Sequence, residues 1–86
     1  MPAVDHQVTL ITRANCHLCA DASVLLTALA TELGFGYAEH DVDTDPSLSA
    51  AERDEYGDHV PVILIDGKEH GYWRVEEARF RKALAR

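Results

Sequence analysis

Apolar positions along this chain follow two rhythms. Gln7–Thr12 is a β-branched and apolar run closed by a turn at Arg13–Asn15, which predicts a strand. Val8 and Leu10 point to one face and Ile11 to the other, so both faces are apolar, as in an interior parallel strand. From Cys16 to Leu33 the apolar residues Leu18, Ala22, Leu25, Leu26, Leu29 and Leu33 recur mainly at steps of three and four. That is the period of an amphipathic helix. Asn15 is placed to cap it, with Cys16 as the first helical residue, and Gly34 to end it.

The alternation then repeats. Gly36–Asp41 predicts a second strand. Asp45 before Pro46 predicts a helix start by capping and fixed φ. The helix would run over Pro46–Tyr56, turn Leu48, Ala51 and Tyr56 inward, and stop at Gly57. Val60–Asp66 is the most apolar run and predicts a third strand. Asp66-Gly67 is a hairpin dipeptide leading into a fourth strand, Lys68–Trp73. Val75–Leu84 predicts a last helix, with Glu76 and Glu77 in its first turn and Arg79, Arg81, Lys82 and Arg86 toward its end, the order the helix dipole favours. Met1–His6 reads as a polar lead-in. The element order is β-α-β-α-β-β-α, and the opening strand-helix-strand implies a parallel pair with a right-handed crossover.

Length and composition narrow this to one α/β domain over residues 1–86. With 47% apolar residues the chain can fill a single core. Its net charge of −7, from fifteen acids and eight bases, argues against a nucleic-acid binder or a polybasic membrane binder. No apolar run approaches the roughly 20 residues of a membrane span. The first ten residues include Asp5 and lack a secretion pattern, so a cytoplasmic setting is expected. In the acid-rich stretch Glu39–Asp58 the single Arg or Lys is Arg53, which reads as a solvated face.

The two cysteines are Cys16 and Cys19, spaced C-x-x-C at the predicted strand-helix turn. In a reducing compartment this spacing points to redox or metal chemistry rather than a structural disulfide. A zinc site needs about four ligands, usually a second close pair. His6, His40, His59 and His70 are scattered and read as surface residues. Redox chemistry uses the thiolate, so the thiol pKa must fall from about 8.5. A helix N-terminus beside Cys16 would do this, Arg13 could add a positive charge, and His17 could add charge or relay a proton. Pro61 opens a buried-looking strand where it removes a ladder donor. Either it starts the strand in trans, or the Val60-Pro61 bond is cis and faces Cys16.

Taken together, Val8–Ile11, Arg13 three positions before Cys16, Cys16-His17-Leu18-Cys19, Val60-Pro61 and Val62-Ile63-Leu64-Ile65-Asp66-Gly67-Lys68 resemble the thioredoxin-fold glutaredoxins, in order and across nearly the whole chain. The similarity is to the small bacterial glutaredoxin-like proteins. It implies a four-stranded mixed sheet flanked by helices, a cis Pro61 beside the thiols, and thiol-disulfide exchange. Two departures stand out. Glutaredoxins carry Pro and Tyr between the cysteines, where this chain has His17 and Leu18. They also hold the glutathione carboxylates with a Gly-Gly pair and an Asp, where this chain reads His70-Gly71-Tyr72-Trp73-Arg74.

The expectation is therefore a dithiol oxidoreductase. Cys16 is the nucleophile and Cys19 the resolving thiol, with Arg13, His17, Leu18, Val60 and Pro61 bordering the substrate. Its substrates would be protein or small-thiol disulfides. No bound cofactor or metal is expected, glutathione or another low-molecular-weight thiol is a candidate electron donor, and the protein would act as a monomer. The alternative is a thioredoxin-fold adapter, or a metal or iron–sulfur module using both cysteines as ligands. Tyr72 and Trp73 are expected to pack at the edge strand, or else to shape a partner pocket other than glutathione's.

Overall fold

The computed structural model describes residues 5–85. Most of the polar lead-in read at Met1–His6 therefore lies outside the described residues, as does Arg86. The order is β1 Gln7–Thr12, α1 His17–Leu33, β2 Gly36–Asp41, α2 Ala50–Gly57, β3 Val62–Ile65, β4 Lys68–Tyr72 and α3 Glu77–Leu84. The strands form one sheet in the order β2-β1-β3-β4. β2 runs parallel to β1, whereas β3 pairs antiparallel with both β1 and β4, so the sheet is mixed. The parallel pair follows from the α1 crossover. The hairpin follows from Asp66 (φ 53°) and Gly67 (φ 82°), both left-handed as a two-residue primed turn requires. The Asp66 carboxylate also accepts the Gln7 N–H at 2.8 Å and meets His6 Nδ1 at 2.6 Å, tying the entry of β1 to the hairpin.

Side chains alternate across the strands, and two cores result. Val8, Leu10 and Ile63 share a core with Ala22, Leu26 and Leu29 of α1 and Phe80 and Leu84 of α3. Phe35 joins them, edge-on to Phe80 with ring centroids 5.6 Å apart. Ile11, Val42, Val62 and Leu64 form a second cluster with Tyr56 of α2. Among the described residues, no helix is long and apolar enough to cross a membrane.

Several elements depart from the sequence expectation, each for a local reason. The second helix starts at Ala50 rather than Pro46, because Ser49 forms a reciprocal capping box with Glu52. The Asp45 carboxylate accepts the Ser47 N–H at 2.8 Å and pairs with His40, so it holds a turn instead of a helix start. Arg53 binds the carbonyls of Asp43, Asp45 and Leu48 and fixes the loop ahead of that helix. Ala51, expected inward, is exposed. Cys16, not Asn15, is the N-cap of α1; Asn15 turns left-handed at φ 61° and pushes the start on by one residue. Leu18 lies on the apolar period yet is exposed, since it stands in the first turn of α1. Of the expected strand Val60–Asp66 only Val62–Ile65 is strand, the strand Lys68–Trp73 ends at Tyr72, and the last helix begins at Glu77. The histidines are not loose surface groups: His6, His40, His59 and His70 are all half-buried.

Candidate active site

β1 delivers the chain to the C-x-x-C motif. After Thr12 the backbone turns through Arg13–Asn15, and the left-handed Asn15 aims Cys16 across the start of α1. Cys16 has an extended backbone (φ −106°, ψ 111°), and its Sγ accepts the Cys19 N–H at 3.1 Å. Its carbonyl accepts the Ala20 N–H, also at 3.1 Å, and so begins the helical ladder. The sulfur thus takes the role that a Ser or Asn oxygen plays at other helix starts, satisfying an otherwise unpaired N–H. Cys19, 4% exposed, is buried below it, and the two are joined as a disulfide with Cα atoms 5.2 Å apart. Cys16 is the more accessible of the pair.

The residues expected around the pair are placed unevenly. His17 is the first helical residue and is exposed, as is Leu18. The Arg13 guanidinium turns to the acidic loop. Nε and Nη2 donate to the two Asp43 carboxylate oxygens at 2.9 and 3.0 Å, and Nη1 donates to the Gly57 carbonyl at 3.0 Å. Those bonds to Asp43 raise the guanidinium pKa and lower that of the Asp43 carboxyl. The positive charge expected for Cys16 is therefore already balanced. Val62 pairs with Ile11, so β3 begins at the end of the sheet where β1 ends, and Val60-Pro61 and the motif emerge at that same end. The Val60-Pro61 bond is cis. Pro61 is buried, and its carbonyl accepts the Trp73 N–H at 2.7 Å. Val60 forms no backbone hydrogen bond among the described residues.

Two hollows flank the motif. One, of about 480 Å³, is lined by Arg13, Asn15, Cys16, Cys19, Ser23 and Glu39. The Tyr37 hydroxyl donates to Glu39 Oε2 at 2.6 Å, and the Ser23 hydroxyl donates to the same oxygen. Burial, then the Glu39 carboxylate, pushes the Tyr37 phenol pKa up, so it remains a neutral donor. The other hollow, of about 540 Å³, lies on the Leu18 side, against β4 and the start of α3. No motif marked Ser23, Glu39 or the residues after β4 in the sequence; only the observation that Tyr72-Trp73-Arg74 replaces a glycine-rich turn drew attention to that region. Among the described residues, no three His, Cys, Asp or Glu side chains converge on one point.

This geometry has relatives. The Glutaredoxin-like domain (DUF836) matches residues 7–85, which include both cysteines and Pro61. The chain belongs to that family. An uncharacterized protein of Mycobacterium tuberculosis is 46% identical over 81 residues, spanning 93% of this chain and 84% of that protein. Among solved structures, Fasciola hepatica thioredoxin superposes with a TM-score of 0.62 at 22% identity, covering 93% of this chain and 78% of that one. Glutaredoxin 1 of Francisella tularensis superposes at 0.55 with 21% identity, covering 94% and 99%. At such identities the structures establish the thioredoxin-like fold, and the family match establishes a glutaredoxin-like domain carrying a C-x-x-C pair.

Proposed function

We propose that this glutaredoxin-like protein is a dithiol-disulfide oxidoreductase. The observation that carries the reading is the N-cap position of Cys16. Its sulfur receives the Cys19 N–H at the positive end of α1, so the negative thiolate form is favoured over the neutral thiol. Cys19, buried one turn on, is sheltered from solvent but within bonding reach of Cys16.

The cycle is two exchanges. In the reduced protein the Cys16 thiolate attacks one sulfur of a substrate disulfide; a Cys16–substrate bond forms and the other substrate sulfur leaves as a thiolate. The Cys19 thiolate then attacks Cys16, releases the second substrate thiolate and closes the Cys16–Cys19 bond. Two electrons pass to the substrate. Two more, from glutathione, another low-molecular-weight thiol or a protein reductase, must reopen the disulfide. Val60 supports substrate alignment: its unpaired N–H and C=O, at the same end of the sheet as the motif, can pair with a peptide backbone. Pro61, His17 and Leu18 border this approach, no cofactor need stay bound, and a monomer suffices.

The test is alkylation and trapping. Cys16 in the reduced protein should react with iodoacetamide before Cys19, with a thiol pKa well below about 8.5. Cys19→Ser should accumulate a mixed disulfide on Cys16, and Cys16→Ser should form none. Two slow thiols with ordinary pKa values would sink the enzyme reading, and stoichiometric metal in protein purified without chelator would replace it with the metal-module alternative.

A further inference from the structure

Resting on that reading, we infer that the hollow beside Leu18 is a specificity subsite that reads an acidic side chain on a polypeptide disulfide through Arg74 and Arg79. Both arginines line it, together with Leu18, Tyr72, Trp73 and Glu76. Its apolar wall is unusual for this molecule. Of the four large apolar side chains left exposed among the described residues, three border this hollow: Leu18 at 49%, Tyr72 at 46% and Trp73 at 53%. Leu18 lies between the two cysteines in sequence, which ties this wall to the C-x-x-C turn.

The charge pattern points the same way. The protein carries −7 overall, and its other guanidinium groups among the described residues have partners. Arg13 is held by Asp43, Arg53 by loop carbonyls, and Arg81 by Glu32 and Glu77. Arg74 and Arg79 form no side-chain hydrogen bond or ion pair among the described residues. Arg79 lies beside Gly71, where an added Cβ would meet its Nη1 at 3.4 Å, so the guanidinium rests against β4. Glu76 is the acid lining the hollow, and it leaves an excess of one positive charge there. His70, also on its wall, has a pKa lowered by burial and then by Arg79, and adds no charge at neutral pH.

A small anion would use only the arginines. A chain segment would use everything present: its backbone on Val60, an apolar residue on Leu18 and Trp73, and an Asp or Glu on Arg74 and Arg79. The occupant is therefore an extended acidic segment next to the substrate cysteine, drawn toward a cationic hollow of an acidic protein.

Two peptide disulfides separate the outcomes, identical apart from Glu or Gln two residues from the cysteine. The full-length reduced protein should favour the Glu peptide in kcat/KM by about tenfold at low salt, the effect of two partly exposed charge pairs. The preference should shrink toward unity in 1 M salt and in Arg74→Gln/Arg79→Gln, with circular dichroism confirming that the variant is folded. Should the double variant fail to fold, the wild-type ratio and its salt dependence decide alone. Equal rates for the two peptides, or an undiminished preference in the folded double variant, would overturn the assignment. So would a tenfold preference for glutathione disulfide over neutral hydroxyethyl disulfide, since it would make the subsite a small-carboxylate reader. Failure to reduce any of these disulfides at all would instead remove the oxidoreductase reading beneath it.

Discussion

At the scale of single residues, the activation proposed for Cys16 rests on the helix start and not on the Arg13 guanidinium. Arg13 is three residues away in sequence, but its charge is spent on Asp43. Arg13→Ala should therefore move the Cys16 thiol pKa by no more than about half a unit, the reach of an exposed, already neutralised charge. A rise of a full unit, followed by the thiolate absorbance, would show that the guanidinium acts on the sulfur after all. The acidic loop carries a separate pH signature. The Asp45 carboxyl is pulled from 3.8 to about 2 by hydrogen bonds from Ser47 and then by His40. A depressed carboxylate contributes stability above its unfolded pKa and loses it as pH falls through the folded value. Wild type should thus melt above Asp45→Asn at pH 7, and the gap should close between about pH 4 and pH 2. A gap that persists at pH 2 would trace to packing rather than charge.

Elements were legible where one local signal ruled alone. The six-residue β1 and the Asp66-Gly67 hairpin follow from alternation and turn chemistry, and both are found as read. The end of α1 follows from Gly34, whose φ of 84° an alanine would adopt only at a cost. Gly34→Ala should destabilise by about 1 kcal/mol in urea titration; a neutral result would mean that the cap relaxes into another conformation. The start of α2 was less legible because two signals competed. Asp45-Pro46 and the Ser49-x-x-Glu52 box both look like helix starts in the chain, and only folded contacts decide between them. His40, on a strand paired with β1, takes the Asp45 carboxylate and leaves the start to Ser49. Ser49→Ala should cost about 1 kcal/mol, whereas Asp45→Ala should leave the far-ultraviolet helix signal unchanged. The cysteine pair was legible from spacing. The groove by Leu18 was not, since it joins residues from α1, the end of β4 and α3 whose proximity depends on topology.

At the scale of the whole molecule, the sheet is unequally covered. One face carries α1 and α3 and the nine-residue core that includes Phe80 and Leu84. The other carries the eight-residue α2, which contributes a single buried residue, Tyr56, to a core of five. Local opening follows buried apolar contact. The segment from α2 through Val60 should therefore open without unfolding β1, β3 and the larger core. In native-state hydrogen exchange, amides of Ala50–Gly57 should exchange through openings at least about 1.4 kcal/mol smaller than those of Val8–Ile11, a tenfold difference in rate. Tyr56→Ala should widen the difference, because it removes the one buried anchor of α2 while sparing the opposite face. That motion bears on the site. Gly57 holds Arg13, and the chain leaving α2 becomes Val60-Pro61, so an opening there releases the turn before Cys16 and the proposed substrate ladder together. If α2 exchanged only with the whole protein, in wild type and in Tyr56→Ala alike, the two faces would be a single cooperative unit. The substrate ladder at Val60 would then be as rigid as the sheet it extends.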